Sequence, residues 1–426
     1  MTAEIAILNN HGVALAADSA VTLGQDATKI YTSADKLFQL HNSDPVGVMI
    51  YGNANIVGVP WETVIKAFRS EVGSASHGTL KEYADQFLDY ISAKPEIFSL
   101  ARERRHVQML IGSLFMHIRN ELAQRIDEVA AEQDGLDDQA LHDICVEHFN
   151  KRLEIVKSQY LLERQGSGVL REIRKKHSKE ILDVRKSVFG DMPFGRKGAT
   201  ALSAIAVEML GRNYFGPLTC GVVFAGFGRS QYLPELISYD IEEFVLGKPR
   251  ISKPVVRSIS DDNSGFLVPF AQQEMVHAFM NGADPDLMSH IVSSTTSLFS
   301  GAMAALIELV KQKDTSLGTE IQKRLVPAQK SLLDNLVSDW NKKTEGFWQP
   351  VLQIVASLPK DELAAMAEAL VNLTKFRRRV TTTRETVGGP IDVAVITKGD
   401  GFVWVKRKHY FSADLNPRVM SRYFKG

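Results

Sequence analysis

Cysteine and net charge are both scarce in this sequence of 426 residues. Only Cys145 and Cys220 are cysteines, and no CxxC spacing occurs, so the sequence predicts neither a disulfide framework nor a thiolate metal site. The 50 basic side chains balance the 50 acidic ones, and a neutral chain lacks the overall field that attracts nucleic acid. We therefore expect a cytoplasmic protein that binds no nucleic acid.

Signals for membranes, metals and cofactors are also few. We see no apolar run near the roughly 20 residues that a membrane-spanning helix needs. The eleven histidines show no HxH or HxxxH spacing, and DGLDD at 134–138 lacks the closing glutamate of a calcium loop. The glycines of AGFGRS at 225–230 precede a predicted strand, whereas a phosphate-binding loop precedes a helix. We expect no membrane contact, no metal and no cofactor.

The amino-terminal segment is typical of short antiparallel strands. Two apolar runs flank Asn9, Asn10, His11 and Gly12, and this pattern predicts a β-hairpin. KLFQL at 36–40 and VGVMIYG at 46–52 predict two further strands around a polar turn. The first fifty residues are therefore expected to form one small sheet.

Apolar periodicity along the whole chain alternates between strand-like and helix-like stretches. The predicted segments are first strands at 1–60, a helical block at 61–195, central strands at 196–268, a second helical block from about Pro269 to 379, and final strands at 380–426. KGDG at 398–401 predicts a hairpin between the last strands. Because no repeat or low-complexity linker separates these segments, we expect one discontinuous sheet core that carries helical insertions.

Thr2 is the first residue that could carry chemistry. Methionine excision favours a small second residue and would leave Thr2 with a hydroxyl and a free α-amine, which together form a nucleophile and its base. Many proteins have Thr or Ser at this position, so Thr2 alone does not assign a function. Asp18 ends one predicted strand and Lys36 begins another. If these strands pair, Asp18 would hold Lys36 beside Thr2, and the ammonium would lower the pKa of the hydroxyl.

MTAEIAILNNHGVALAADSAVT, residues 1–22, resembles the amino end of proteasome β subunits and of HslV, their bacterial relative. In those families an acid lies sixteen residues after the threonine, as Asp18 does here, and a lysine precedes a short apolar strand, as Lys36 does. The acid-to-lysine spacing is eighteen here, two more than usual in the family, so a longer loop is required. Lys29 competes with Lys36, but polar residues soon follow it. Gly52 in YGNAN would supply the oxyanion-hole amide.

Two later segments resemble the same families more weakly. VVFAGFGRSQYLPELISYDI at 222–241 is similar to their central hairpin, and RETVGGPIDVAVITKGDG at 384–401 is similar to their final strands. The resemblance implies a second acid and a serine near the threonine amine. Glu385 is the candidate acid, and the candidate supporting residues are Asn263, Ser264 and Ser19.

The resemblance implies an α+β fold, namely the four-layer αββα sandwich of antiparallel sheets found in N-terminal nucleophile (Ntn) hydrolases, enlarged by helical insertions. It further implies a threonine-type peptidase that acts on a peptide or protein substrate, assembles as a homo-oligomer and works with an ATPase partner. Two alternatives remain open: an Ntn amidase that acts on a small amide, and a catalytically silent proteasome-like scaffold.

Overall fold

The computed structural model describes residues 2–23, 29–73, 75–94, 100–132, 136–216, 219–381, 387–409, 411–412 and 414–424. The chain forms two compact units, each assembled from segments that are distant in sequence. Unit 1 comprises Met1–Ser33, Ile259–Val395 and Trp404–Lys408, and unit 2 comprises Ala34–Ser258, Ile396–Val403 and His409–Gly426.

The strands of the described chain are short, and most contain two to seven residues. They are β1 (Ala3–Asn9), β2 (Gly12–Ala17), β3 (Val21–Leu23), β4 (Lys29–Tyr31), β5 (Leu37–Gln39), β6 (Val46–Gly52), β7 (Asn55–Ile56), β8 (Val59–Pro60), β9 (Cys220–Gly226), β10 (Glu235–Val245), β11 (Lys248–Ile251), β12 (Val255–Ser258), β13 (Gly265–Ala271), β14 (Asp392–Thr397) and β15 (Gly401–Lys406).

The α-helices vary widely in length, from one of 8 residues to one of 43. They are α1 (Trp61–Val72), α2 (Leu80–Ser92), α3 (Leu100–Glu132), α4 (Asp138–Lys157), α5 (Val169–Lys176), α6 (Ser178–Phe189), α7 (Gly195–Gly211), α8 (Glu274–Asn281), α9 (Pro285–Lys313), α10 (Thr315–Ser357), α11 (Lys360–Val380) and α12 (Pro417–Phe424).

Two larger sheets contain most of the strands. One has the order β13-β1-β2-β14-β15, and the other has the order β11-β10-β9-β6-β5, with β12 added beside β10. β1 pairs antiparallel with β2, with Asn9 opposite Gly12, which confirms the predicted amino-terminal hairpin. The expectation of one sheet for the first fifty residues is wrong, because β1 and β2 belong to the first sheet and β5 and β6 to the second.

The core of unit 1 forms on one face of β1 and β2, because side chains alternate between the two faces of a strand. Side chains on one face of β1 and β2 pack with α11 and include Ile5, Ile7, Ala14 and Ala16. Successive strand residues point to opposite faces, so Thr2 and Glu4 lie on the other face of β1. Alanines on both the strands and α11 let the helix approach the sheet closely. Within the described chain, no aromatic side chain belongs to this cluster.

The core of unit 2 is rich in aromatic residues instead. Trp61, Phe68, Phe87 and Phe224 are buried between α1, α2 and the second sheet. Phe68 meets Phe87 edge to face with ring centroids 5.0 Å apart, an arrangement that aromatic quadrupoles favour. A second cluster in the same unit joins α3, α4, α6 and α7.

Several predicted boundaries need correction. Pro269 does not begin a helix, because it lies within β13 opposite Ile5, and the next helix begins at Glu274. A proline fits this strand because β13 lies at the edge of its sheet, where a missing N–H donor is tolerated. The first helical block continues beyond residue 195 to Gly211 through α7.

α9 bears on the expectation of no membrane contact, which stays a prediction. Within the part of the chain that the structure describes, this 29-residue helix is long and apolar enough to span a membrane, with a mean hydropathy of 1.3 over its most apolar window. The criterion concerns length and composition alone and is weak evidence for a membrane span.

Candidate functional site

Thr2 immediately precedes β1 and is buried, with 4% of its surface exposed. Its Oγ1 donates a hydrogen bond to Glu4 Oε2 at 2.8 Å, and its carbonyl oxygen accepts one from the amide of Gln272 at 3.1 Å. The hydroxyl meets the carboxylate because residues two apart in a strand share a face. A potential nucleophile and a potential proton acceptor therefore lie together in a buried place.

Asp18 directly follows β2 and organises the backbone around Thr2. Its Oδ1 accepts a hydrogen bond from the amide of Ala3 at 3.2 Å. Its Oδ2 accepts from the amides of Ala20 at 3.2 Å and Gly388 at 2.8 Å. The carboxylate thus joins the residue next to Thr2, the end of the hairpin and the segment before β14. The structure brings Asp18 and Thr2 into one region, and Asp18 positions the backbone there.

Ser19 continues this junction. Its hydroxyl donates to the carbonyl oxygen of Pro390 at 2.7 Å, and its amide donates to the carbonyl oxygen of Gly388 at 3.2 Å. Gly389 beside it has φ of +77°, and a Cβ there would lie 2.7 Å from the carbonyl oxygen of Thr32. Ser19 therefore holds the glycine pair of VGGP against the end of β2.

Lys36 and Gly52 both belong to unit 2, whereas Thr2 and Asp18 belong to unit 1. Lys36 is buried and precedes β5, which lies in the six-stranded sheet. The strand pairing considered as the route from Asp18 to Lys36 does not occur, because β2 pairs with β1 and β14 and not with β5. A direct meeting of the two side chains stays a prediction.

Gly52 ends β6 in a conformation that suits glycine. Its φ is +82°, and an added Cβ would lie 2.5 Å from the carbonyl oxygen of Thr219. Both the backbone angle and the close contact exclude larger residues without strain. The residue is exposed at the strand end, and its assignment to an oxyanion hole stays a prediction.

Ser264 is not near Thr2 and is corrected as a supporting residue. It precedes Gly265, which pairs with Asn9 at the opposite end of β1 from Thr2. Seven residue steps separate the two ends, or about 23 Å at about 3.3 Å per residue. The neighbouring Asn263 shares this location. Glu385 lies outside the described residues.

Glu4 is the site residue that the sequence reasoning missed. A signal was available, because Glu4 is the one charged residue in the strand AEIAILN. It is buried, with 1% of its surface exposed. A buried carboxylate is costly unless other groups stabilise it, so its presence in an apolar strand indicates a specific polar environment.

Metal and thiol chemistry have little basis in the residues that the structure describes. Across those residues, no group of three or more His, Cys, Asp or Glu side chains is arranged to hold a metal ion. Cys145 and Cys220 are buried free cysteines in unit 2, and burial raises the pKa of the Cys145 thiol. The hydroxyl and carboxylate of Thr2 and Glu4 are the groups available for chemistry at β1.

Comparison with known proteins provides little further information. No family model matches the chain, and a search of curated proteins found no match. Among solved structures, the chain has a weak neighbour in a mutant of Anbu from Hyphomicrobium sp. strain MC1, with 11% sequence identity and a TM-score of 0.29. The match covers 100% of this chain and 94% of that one. A TM-score of 0.29 is too low to show a shared fold.

Proposed function

We propose that this protein is an N-terminal threonine hydrolase that cleaves peptide bonds and uses Thr2 as its nucleophile. The observation that carries the proposal is the buried hydrogen bond from Thr2 Oγ1 to Glu4 Oε2, beside an amide that Asp18 holds. This arrangement fixes a hydroxyl next to the amino end of β1, where removal of Met1 would free the α-amine that such chemistry needs.

In the proposed reaction, Thr2 Oγ1 attacks the carbonyl carbon of a peptide bond and its proton passes to the freed α-amine. The C–N bond then breaks, the leaving amine takes that proton, and an ester on Thr2 remains. Water attacks the ester and releases the carboxylic acid, which restores the hydroxyl. Glu4 orients the hydroxyl by accepting its hydrogen bond, and Asp18 keeps β1 in register with the loop before β14.

The finer parts of the proposal rest on the resemblance to proteasome β subunits and HslV. They are the αββα sandwich, a Lys36 ammonium near Thr2, an oxyanion hole at Gly52, a homo-oligomer and an ATPase partner. Each unit contains most of one of the two larger sheets with helices packed against it, and a sandwich of that class needs two such halves. The buried Lys36 is compatible with the role of lowering the pKa of the hydroxyl.

A catalytically silent scaffold is the second candidate, and one observation favours it. Thr2 exposes only 4% of its surface, so a substrate carbonyl reaches the hydroxyl only after neighbouring groups move or Met1 is removed. An amidase for small amides would use the same nucleophile. It differs from a peptidase in the size of substrate admitted.

The test measures the intact mass and amino-terminal sequence of the purified protein and then adds an epoxyketone probe, which reacts with a threonine hydroxyl and amine together. We expect a chain that begins at Thr2 and gains one probe mass on that residue. Thr2→Ala should lose the labelling and Thr2→Ser should keep it. Thr344→Ala, which changes a threonine on α10, is the matched control and should label like the wild type.

Two outcomes would redirect the assignment. A chain that keeps Met1 and stays unlabelled would contradict a hydrolase and favour the scaffold. A labelled chain that hydrolyses small amides but no member of a peptide library would indicate an amidase.

A further inference from the structure

α9 and α10 form an antiparallel helical hairpin in unit 1. Asp314 separates them and caps α10, because its Oδ1 accepts hydrogen bonds from the amides of Ser316 and Leu317 at 2.9 and 3.0 Å. Side chains link the helices along their length. Lys311 donates to Gln322 at 2.9 Å near the turn, and Gln329 donates to Ser300 at 2.7 Å further along. The hairpin is therefore a defined structure.

α9 also carries apolar side chains on the side that faces away from α10. Ile307 on the packed side is buried. The exposed large hydrophobic side chains have exposed fractions of 43% to 74% and are Leu287, Ile291, Leu298, Phe299, Leu306 and Leu309. At 100° per residue, these six positions fall within about 120° of the helix circumference, so they form one stripe. No Asp, Glu, Lys or Arg occurs from Leu287 to Ile307.

We propose that this α9 stripe is a self-association surface, on which α9 of a second copy of this chain packs antiparallel. The stripe is nearly symmetric about the middle of the helix, and a twofold contact requires such a self-complementary surface, because residue i of one copy meets residue j of the other and residue j meets residue i. An antiparallel copy centred near Leu298 would pair exposed apolar residues throughout. The pairs are Leu287 with Leu309, Ile291 with Leu306, and Leu298 with Phe299.

The helix dipoles and the uncharged middle fit the same arrangement. Asp286, in the first turn of α9, and Lys311, in its last turn, lie about 160° and 180° around the helix from the centre of the stripe, so neither faces the second copy. The dipoles of the two antiparallel helices oppose each other, which is favourable. The uncharged middle brings no like charges together.

The apolar area suits a dimer. A fully exposed Leu or Ile presents roughly 100 Å² of apolar surface. Removing that surface from water stabilises a complex by about 25 cal/mol per Å². The stripe on α9 therefore offers on the order of 300 Å². A standard interface takes about 800 Å² from each partner, including polar rim atoms. The apolar share of such an interface is about 450 Å² per partner, and the stripe supplies roughly two thirds of it.

A lipid surface fits the hairpin less well than a second copy does. α10 exposes ion pairs such as Arg324 with Glu320, whose side chains are 79% and 59% exposed. Lys342 and Asp339 are exposed further along the same helix. Insertion of the hairpin would transfer these charges into hydrocarbon at a cost of several kcal/mol each. A protein partner leaves them in water at the rim.

The test measures the molar mass of the full chain in solution by sedimentation velocity from about 0.1 to 50 μM, a range that spans typical dimer affinities. We expect the wild type to dimerise and Leu298→Glu to raise the dimer dissociation constant at least tenfold, with an unchanged circular dichroism spectrum. Leu415→Glu changes an equally exposed leucine elsewhere and should leave the dimer intact. Thr2→Ala should dimerise like the wild type, which separates this proposal from the proposed activity.

Disulfide trapping gives a second readout. In an antiparallel pair the middle of α9 lies against itself, so Leu298→Cys should form a covalent dimer on mild oxidation, while Leu415→Cys should not. The two native cysteines are buried and should not interfere. A monomeric wild type, or a Leu298→Glu variant that dimerises normally, would overturn the proposal. A monomer that floats with phosphatidylcholine and phosphatidylserine vesicles would also overturn it and assign the stripe to a lipid surface.

Discussion

The two units bury polar groups in different ways. In unit 2, the fully buried Arg250 donates to Glu242 and to the carbonyl oxygens of Met209 and Tyr214 at 2.6 and 2.8 Å. This buried charge holds neighbouring segments of the unit together. In unit 1, the buried polar groups include a hydroxyl and a carboxylate at the start of β1. The two clusters therefore differ in their chemistry, because the one in unit 2 pairs a guanidinium with a carboxylate and the one in unit 1 pairs a hydroxyl with a carboxylate.

The largest expected effect is in unit 2. Glu242→Leu would leave the buried Arg250 guanidinium without its carboxylate, so we expect a loss of about 3–5 kcal/mol in the free energy of unfolding. Urea denaturation followed by circular dichroism measures it. The double variant Glu242→Leu with Arg250→Met should lose much less, because no charge remains buried. Equal losses in the single and double variants would contradict a pairing role.

A smaller effect is expected in the core of unit 1, where small side chains let α11 approach β2. Ala367→Leu would force a larger side chain between them, and such overpacking costs about 1–3 kcal/mol. Ala369→Leu on the exposed side of α11 is the matched control and should change the free energy of unfolding by less than about 0.5 kcal/mol. Both are measured by urea denaturation, and similar effects of the two variants would show that close packing is unimportant here.

The smallest effect concerns Glu103, which accepts hydrogen bonds from the amides of Leu246 and Gly247 at 3.0 and 2.8 Å. Burial alone would raise the pKa of Glu103, but hydrogen bonds from His177 and Lys176 outweigh it and lower the pKa from 4.5 to about 2. A lowered pKa in the folded state means that the ionised group stabilises the fold above about pH 5. This contribution is lost as the pH falls from 4.5 towards 2.

Glu103→Gln should therefore cost about 1–2 kcal/mol at pH 7, and its difference from the wild type should shrink as the pH falls towards 2. Urea denaturation at pH 7, 4 and 2.5 measures this. Glu172→Gln, at an exposed position on α5, should match the wild type at each pH. A deficit in Glu103→Gln that stays constant with pH would show that the charge of Glu103 is not what stabilises the unit.

Local patterns predicted the elements with strong turn signals. Asn9 to Gly12 and KGDG each predicted a hairpin, and the structure has both, since β2 pairs with β1 and β15 lies beside β14 in the same sheet. The sequence misplaced the start of the second helical block at Pro269, because a proline that is permitted in a first helical turn is also permitted in an edge strand. The order of the strands in the sheet decides between a helical turn and an edge strand at Pro269. That order depends on contacts between segments that are distant in sequence.

The sequence by itself determined the short-range features of this protein: the strand that begins behind Thr2, the hairpin that follows it, and the alternation that places Glu4 on the same face as Thr2. Tertiary structure alone decided which distant segments meet. It placed β13 beside β1 with Ser264 at the far end, and it placed Lys36 directly before a strand of the second sheet. It also brought Asp18 to Gly388, which is 370 residues away in sequence. Periodicity reports on neighbours within one element, whereas partners across a sheet depend on how all the elements pack together.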